Sequence, residues 1–529
     1  MKKYQKLKMK RIIKNISLGI VAAVSLTSLN SCKKDFLTQL PTTQVPSVDV
    51  FKTTQGARAA LNGIHAMMYE VADHDAFGVP SIGIMSDLMC GDMGMVRQGS
   101  GWFVTAYYFM DRDPEGTGSY IWGYFFRMIH NANMIIANID NATGEQSDKD
   151  NIKAQAMFYR AYAYFQLANY YQFPYFDNQF KVSDGTRTAK TQTGANVDQA
   201  LGLPLYDAPT QTPKPRATLR ETYKFITDNL DQAISLLGTS SFVRGSDKSQ
   251  IDVNVAKGLY ARVALYMQNW NKAATLAEEA RQGYPLMDSI DIAGGFNRTL
   301  NREWIWGSEI NAEANGIYAS FLSHMSNDIE GAYAVGQERL ISLMFFDTLN
   351  GGLLPMGQKD YRRTWGERKT YVNSRGETRA YIRTKKFKAQ KPNSFVADYP
   401  LMRSAEMYLI QAEALAHAGN LSAAETVLEA FGKSRDVDYN YTGTSKDQLV
   451  QEIWRQKRIE LWGEGHGLFE AKRRMTPFSG GGVTSATMIS YGFGRFLLVG
   501  RSTVNAGSDL LVFRIPSQEL EQNREMIQN

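Results

Sequence analysis

VAKGLYARVALYMQNWNKAATLAEEARQGYP, residues 255–285, decides the architecture of this 529-residue chain. Small side chains recur at Ala261, Ala273 and Ala280, and Pro285 closes the segment, giving separations of twelve, seven and five. Small residues let two antiparallel helices approach closely, while larger ones such as Leu259 and Trp270 fill the flanks. A second copy, MRSAEMYLIQAEALAHAGNLSAAETVLEAF at 402–431, turns at Gly419-Asn420 and again places Ala412 and Ala424 twelve apart.

These separations match the small-residue and proline positions of a tetratricopeptide repeat, in degenerate form. Further helical periodicity runs through NIKAQAMFYRAYAYFQLANYY (151–171), TLRETYKFITDNLDQAISLL (218–237) and KDQLVQEIWRQKRIELWGEG (446–465). The expected fold is mainly α, four helical hairpins forming a scaffold with long irregular insertions. The Gly-, Asn- and aromatic-rich stretches at about 72–120, 172–215, 287–400 and 476–512 are those insertions. Loops of that length inside a compact protein usually carry function, so the binding site is expected there.

The N-terminus has a basic stretch, a short apolar run from Ile16 to Leu26, and then Leu29-Asn30-Ser31-Cys32. The run is too short to span a bilayer as a stable helix, and the layout is that of a signal peptide. Its end resembles a bacterial lipobox, so residues 1–31 are expected to be removed and Cys32 to carry lipid, with 32–50 (Pro41, Pro46) as a tether. Cleavage would remove seven lysines and arginines and no acid, taking the formal charge from +6 to −1. No net positive charge then remains to recruit nucleic acid. Cys90 would be the one other cysteine, so no internal disulfide is expected, and its surroundings suggest an inert thiol.

Motifs for catalysis are missing: no paired zinc-binding histidines, no phosphate loop ending in Lys-Ser or Lys-Thr, no nucleophile elbow. The six histidines (His65, His74, His130, His324, His417, His466) are scattered, which favours structural or surface roles over metal ligation. Ser479 to Gly482 reads as a surface loop rather than an anion cradle. Asp73, Asp75, Asp87 and Asp92 fit the spacing of neither a calcium loop nor a glycosidase pair. No catalytic residue, metal or cofactor is expected.

Aromatics carry more information in this chain, because the apolar C–H face of a sugar packs on Trp and Tyr rings while nearby polar side chains bind its hydroxyls. GSGWFVTAYYFMDRDPEGTGSYIW offers Trp102, Tyr107 and Tyr108 beside Asp111 and Arg112, and Tyr333 and Trp365 are weaker candidates in less patterned surroundings. Trp304 and Trp306, two apart on a presumptive strand, would share one face and pack in the core.

Taken in order, SCKKDFL, YIWGYFFRMIHNANMII, FYRAYAYFQLANYYQFPYF, PKPRATLRETYKFITDNLDQAISLL, YPLMRSAEMYLIQAEALAHAGN, RQKRIELWGEGHGLFEAKRR and the closing FRIPSQELEQNREMIQN resemble the SusD/RagB family of outer-membrane lipoproteins. The resemblance implies a helical tetratricopeptide-like scaffold: a SusD-like helical region over 51–290 and a SusD/RagB region over 291–529. It also implies a non-catalytic nutrient binder, lipid-anchored to the outer membrane and facing outward, that delivers oligosaccharide to a TonB-dependent SusC-like receptor. RagB-like members handle peptides, so a peptide or another nutrient stays open as the ligand. A glycoside hydrolase using Asp87 and Asp92, or a protein-interaction scaffold, are the readings from other classes. Arg403, Glu406 and Glu413, at spacings of three and seven, are expected to pair on one helix face as structural marks of the family.

Overall fold

The structure is a computed structural model that describes residues 48–95, 101–107, 115–175, 196–210, 212–310, 319–346, 355–372, 376, 378–474 and 511–529. Twelve helices organise it: α1 (Thr54–Met67), α2 (Val79–Cys90), α3 (Thr117–Asn138), α4 (Gln146–Tyr171), α5 (Leu219–Thr239), α6 (Val253–Tyr266), α7 (Trp270–Ala280), α8 (Ser404–His417), α9 (Leu421–Arg435), α10 (Lys446–Glu460), α11 (Gly467–Arg473) and α12 (Ser517–Gln522). Among the described helices none is long and apolar enough to cross a membrane.

Consecutive helices pack as neighbours: α3 on α4, α4 on α5, α6 on α7, α8 on α9 and α10. Of the four hairpins expected, the two read as repeat copies are α6–α7 and α8–α9. Ala261, Ala273, Ala280, Ala412 and Ala424 are all fully buried, as close helix approach requires. Helix starts are locally encoded: Thr218 with Glu221 and Ser445 with Gln448 form capping boxes on α5 and α10, and Asp252 caps α6 through the Val255 amide. Each such cap is worth about 1 kcal/mol. A Cβ at Gly258 on α6 would meet the Met402 sulfur, so this face of α6 packs closely against a side chain of the strand before α8.

Helix α4 is the central element, buried on nearly every side, with Trp306 packed edge-on against Phe158 and Tyr162. The insertion after α7 supplies six short strands together with the segment after α2: β1 (Met93–Met95), β2 (Trp304–Ser308), β3 (Arg339–Ile341), β4 (Gly366–Val372), β5 (Thr378–Thr384) and β6 (Tyr399–Arg403). They form an antiparallel sheet in the order β1-β3-β5-β4 and an antiparallel pair β2-β6. Trp304 and Trp306 are both core, but register shifts at Trp304/Trp306 and Trp306/Gly307 interrupt the simple alternation expected of them.

Arg403, Glu406 and Glu413 do not pair with one another. Arg403 precedes α8 and binds Glu303, Glu460 and Glu464; Glu406 binds Arg262 on α6; Glu413 binds Lys457, Arg473 and Arg474. Helix spacing alone suggested an intrahelical face, whereas each group reaches a different packed neighbour. At the centre, Glu460 accepts from Arg403 at 2.9 Å, from Arg435 at 3.0 Å and from Arg362 at 3.2 Å, all fully buried. Lys386 joins through Glu464 at 2.6 Å and through the Glu460 and Trp462 carbonyls at 2.8 Å. This hub ties α9, α10 and the strand insertion into one body.

Candidate ligand-binding ledge

Three chain segments bring an aromatic cluster together. The first is a tight turn in which the Asp73 and Ala76 backbones exchange hydrogen bonds, placing His74 at its exposed tip. The second begins at Trp102 and continues into the helical turn Val104–Tyr107. The third is the short helix Tyr333–Gly336.

His74 stacks on Trp102 with ring centroids 4.8 Å apart and an interplanar angle of 21°. Tyr333 meets Trp102 at 6.4 Å and 61°, so the two rings form a corner rather than a flat floor. The Tyr333 hydroxyl lies 2.6 Å from His74 Nδ1, joining residues 259 positions apart. Trp102 and Tyr333 are half-buried, supported from below and accessible above.

The support is itself aromatic. His324 stacks under Tyr333 at 4.8 Å, and Phe77 stacks on His324 at 5.5 Å and 5°. Phe103 meets His324 edge-on at 5.0 Å. His324 Nε2 lies 2.8 Å from the His74 carbonyl oxygen. Burial, reinforced by nearby Arg339, pushes the His324 pKa down to about 3, so the ring is neutral and Nε2–H donates to that carbonyl. Phe103 adopts φ of 62°, a left-handed conformation that bulky residues rarely hold. This bend accompanies opposite fates for neighbouring rings, Phe103 buried and Trp102 at the surface. Such strain persists where packing enforces it and clusters at functional sites.

Asp73 and Asp75 flank His74: Asp73 Oδ1 accepts from the His74 amide at 2.7 Å, and Asp75 lines a small pocket with Phe103, Thr117 and Tyr120. Burial, then repulsion from Asp73, raises the Asp75 carboxyl above its ordinary value.

The sequence-derived candidates separate cleanly. Trp102 and Tyr333 converge on the ledge. Tyr107 is buried just below it, in the helical turn that follows Trp102. Trp365 belongs to the core instead: it is 3% exposed, donates from Nε1 to the Ile292 carbonyl at 2.8 Å, and packs edge-on against Phe296. Tyr108, Asp111, Arg112, Cys32, the leader and the tether up to residue 47 lie outside the described residues, while the tether's last three residues enter the 3-10 helix Val48–Lys52. His74 and His324 were missed as site residues, because each is isolated in sequence and only the fold puts them side by side.

The acids weighed for hydrolysis are committed elsewhere. Asp87 accepts from the Gly465 and Gly467 amides at 2.9 Å, and burial nonetheless pushes its pKa up to about 7. Asp92 forms a two-point ion pair with Arg458, with Nε to Oδ2 at 2.8 Å. Burial, followed by the charges of Asp92 and Asp87, raises the Cys90 thiol well above its ordinary value, and Sγ sits 3.0 Å from the Asp87 carbonyl.

Residues 35–265 match a SusD-like family model described as starch-binding and associating with the outer membrane. A SusD-like protein of Formosa agariphila is 24% identical over 466 residues, covering 80% of this chain and 84% of that protein. A SusD-like carbohydrate-binding protein from Bacteroides vulgatus superposes with a TM-score of 0.74 at 25% identity, covering 90% of this chain and 97% of its own. A laminarin-binding SusD-like protein shares the fold at a TM-score of 0.62 and 18% identity, covering 90% and 99%. With the hairpin scaffold and the strand insertion, the chain shares the fold of SusD-like proteins, and its residues 35–265 match the SusD-like family model.

Proposed function

We propose that this protein captures an oligosaccharide or polysaccharide on the His74–Trp102–Tyr333 ledge and hands it, chemically unchanged, to a TonB-dependent SusC-like channel. The observation that carries the reading is the corner formed by the half-buried rings of Trp102 and Tyr333, with His74 stacked on Trp102. A pyranose ring seated there packs its C–H face on an indole or phenol. Each contact is weak, so a long chain presenting many repeats gains from multivalency. Asp87 and Asp92 are withdrawn into structural bonds, which supports binding without hydrolysis. In this reading Cys32 carries the lipid that holds the protein on the outer face of the outer membrane, and several acyl chains make that retention stable.

Affinity electrophoresis of the wild type and Trp102→Ala against a panel of polysaccharides, with reducing ends assayed afterwards, tests the proposal. Retardation by at least one glycan, reduced in the variant and without new reducing ends, is expected. No retardation by any glycan would move the ligand to peptide or another nutrient, and new reducing ends would make the protein a hydrolase.

A further inference from the structure

A small notch of about 40 Å³ lies where the C-terminal end of α1, the middle of α4 and the end of β2 meet, lined among others by His65, Tyr69, Tyr159, Ser308 and Glu309. A polar cavity of roughly 10–15 Å³ already holds one water, so the notch has room for about three water-sized groups and none for a sugar ring. Two buried polar atoms on its wall have no hydrogen-bond partner among the described residues: the hydroxyl of Tyr159, itself fully buried, and His65 Nε2. Their rings lie 5.4 Å apart at 48°. Burial pushes the His65 pKa down to about 4, so the ring is neutral, with one nitrogen that donates and one that accepts. In either tautomer a single hydroxyl satisfies both atoms: it donates to a bare Nε2 and accepts from the phenol, or the reverse.

The charge around the notch disfavours an acid. Glu309 stands exposed at its rim, and the charge of Asp247 acts on both His65 and Tyr159. Arg58, a cation that also acts on His65, is engaged by Asn151 at 2.7 Å and by Asp148 at 3.7 Å. A carboxylate entering here would meet like charge and a neutral imidazole, whereas an alcohol would meet two open hydrogen-bonding atoms.

Tyr69 connects the notch to the ledge. This half-buried ring also lines a shallower depression with Phe77, the ring that stacks on His324 beneath Tyr333. A glycan chain seated on the ledge has that row of rings as its continuation. Of the hydroxyls on a hexopyranose, the primary one is carried a carbon away from the ring, so it enters a notch that excludes the ring itself.

We propose that this notch takes the hydroxymethyl group of a neutral hexose unit, and so selects hexose chains over xylose chains, which lack that group, and over uronate chains, which carry a carboxylate in its place. The inference rests on the reading of the protein as a glycan binder.

Affinity electrophoresis of the full-length protein in a sugar-free detergent tests it. Laminarin, soluble starch, mixed-linkage β-glucan, galactan and mannan are the hexose polymers, with xylan and polygalacturonate as their counterparts. Wild type, Tyr159→Phe and Trp102→Ala are compared. Tyr159→Phe keeps the buried ring and removes a hydroxyl that has no partner in the protein, so its melting temperature should not fall. Retardation by at least one hexose polymer and by neither counterpart is expected, weakened about three- to tenfold in Tyr159→Phe. Three results would overturn the proposal: Tyr159→Phe binding as the wild type does, xylan or polygalacturonate retarding the protein as strongly as the best hexose polymer, or no retardation by any hexose polymer. Weakening in Trp102→Ala without weakening in Tyr159→Phe would remove the notch and keep the ledge. A protein retarded by no polysaccharide at all would lose both.

Discussion

The ion-pair hub and the aromatic ledge both join residues remote in sequence, yet they are built on opposite principles. In the hub every charge is fully enclosed, and each guanidinium meets carboxylates with direct geometry: Arg403 reaches Glu303, Glu460 and Glu464, and Arg435 reaches Glu303 and Glu460. The ledge holds its rings by stacking, with Trp102 and Tyr333 left half-exposed and His74 at an exposed turn tip. Saturated partners make the first region rigid and chemically silent. Partly exposed rings make the second available to a ligand.

The largest effect that would break this contrast is removal of the hub's shared carboxylate. Glu460→Ala leaves Arg403, Arg435 and Arg362 buried with fewer anions, and breaking such a buried arrangement costs about 3–5 kcal/mol. Urea unfolding should show that loss in the midpoint, and glycan retardation by whatever fraction remains folded should be unchanged. A loss below about 1 kcal/mol would mean that the hub is no stability centre.

Acid should separate the regions next. Burial by itself would raise the Glu460 and Glu413 carboxyls, but Arg435 and Arg403 hold the first, and Arg473 and Arg474 the second, well below the ordinary range. Against the same desolvation, Arg473 and Lys457 hold Glu470 at about 2. Folded pKa values below the unfolded ones stabilise the protein above the unfolded value, near 4.5, and that stability is lost as pH falls toward the folded values. Melting temperature should therefore decline between about pH 4.5 and pH 2. In the ledge, burial holds the His324 pKa at about 3 against an ordinary 6.5, so its neutral form costs stability as pH falls below about 6.5, and the ledge should loosen before the hub does.

Two tryptophans sharpen the distinction further. Trp365→Phe loses the Nε1 bond to Ile292 and part of a buried ring, so stability should fall by about 1–3 kcal/mol with glycan retardation intact. Trp102→Ala should do the reverse, weakening retardation about tenfold with a shift of less than about 1 kcal/mol in stability. If Trp365→Phe abolished retardation in folded protein, the assignment of that ring to the core would be wrong.

The scaffold was legible because its rules are local. Twelve-residue alanine spacing, capping residues and helical periodicity all act within a few turns, and the buried alanines of α6–α7 and α8–α9 follow them. The hub was only half legible: Arg403, Glu406 and Glu413 stood out, but helix geometry could not show that their partners lie on other elements. In the ledge, Trp102 and Tyr333 were visible as aromatic residues in insertions, while the histidines that brace them carried no local signature. Trp365 shows the cost of the same reasoning, since a large ring in an irregular segment fills a core as readily as it faces a ligand.

Tyr333→Phe is the smallest change and the most discriminating. It keeps the ring that stacks on His324 and meets Trp102, and removes only the hydroxyl 2.6 Å from His74 Nδ1. One hydrogen bond of this kind is worth about 0.5–1.5 kcal/mol, so the exposed His74 turn should loosen while the folded core is untouched. If His74 helps to present Trp102, retardation by glycan should weaken about two- to tenfold in Tyr333→Phe with an unchanged urea midpoint. The double variant Tyr333→Phe/His74→Ala should then be no weaker than His74→Ala, because both remove the same brace. Additive losses would instead show the Tyr333 hydroxyl and the His74 ring acting on the ligand independently, and the ledge would be a set of separate contacts rather than a mutually supported surface.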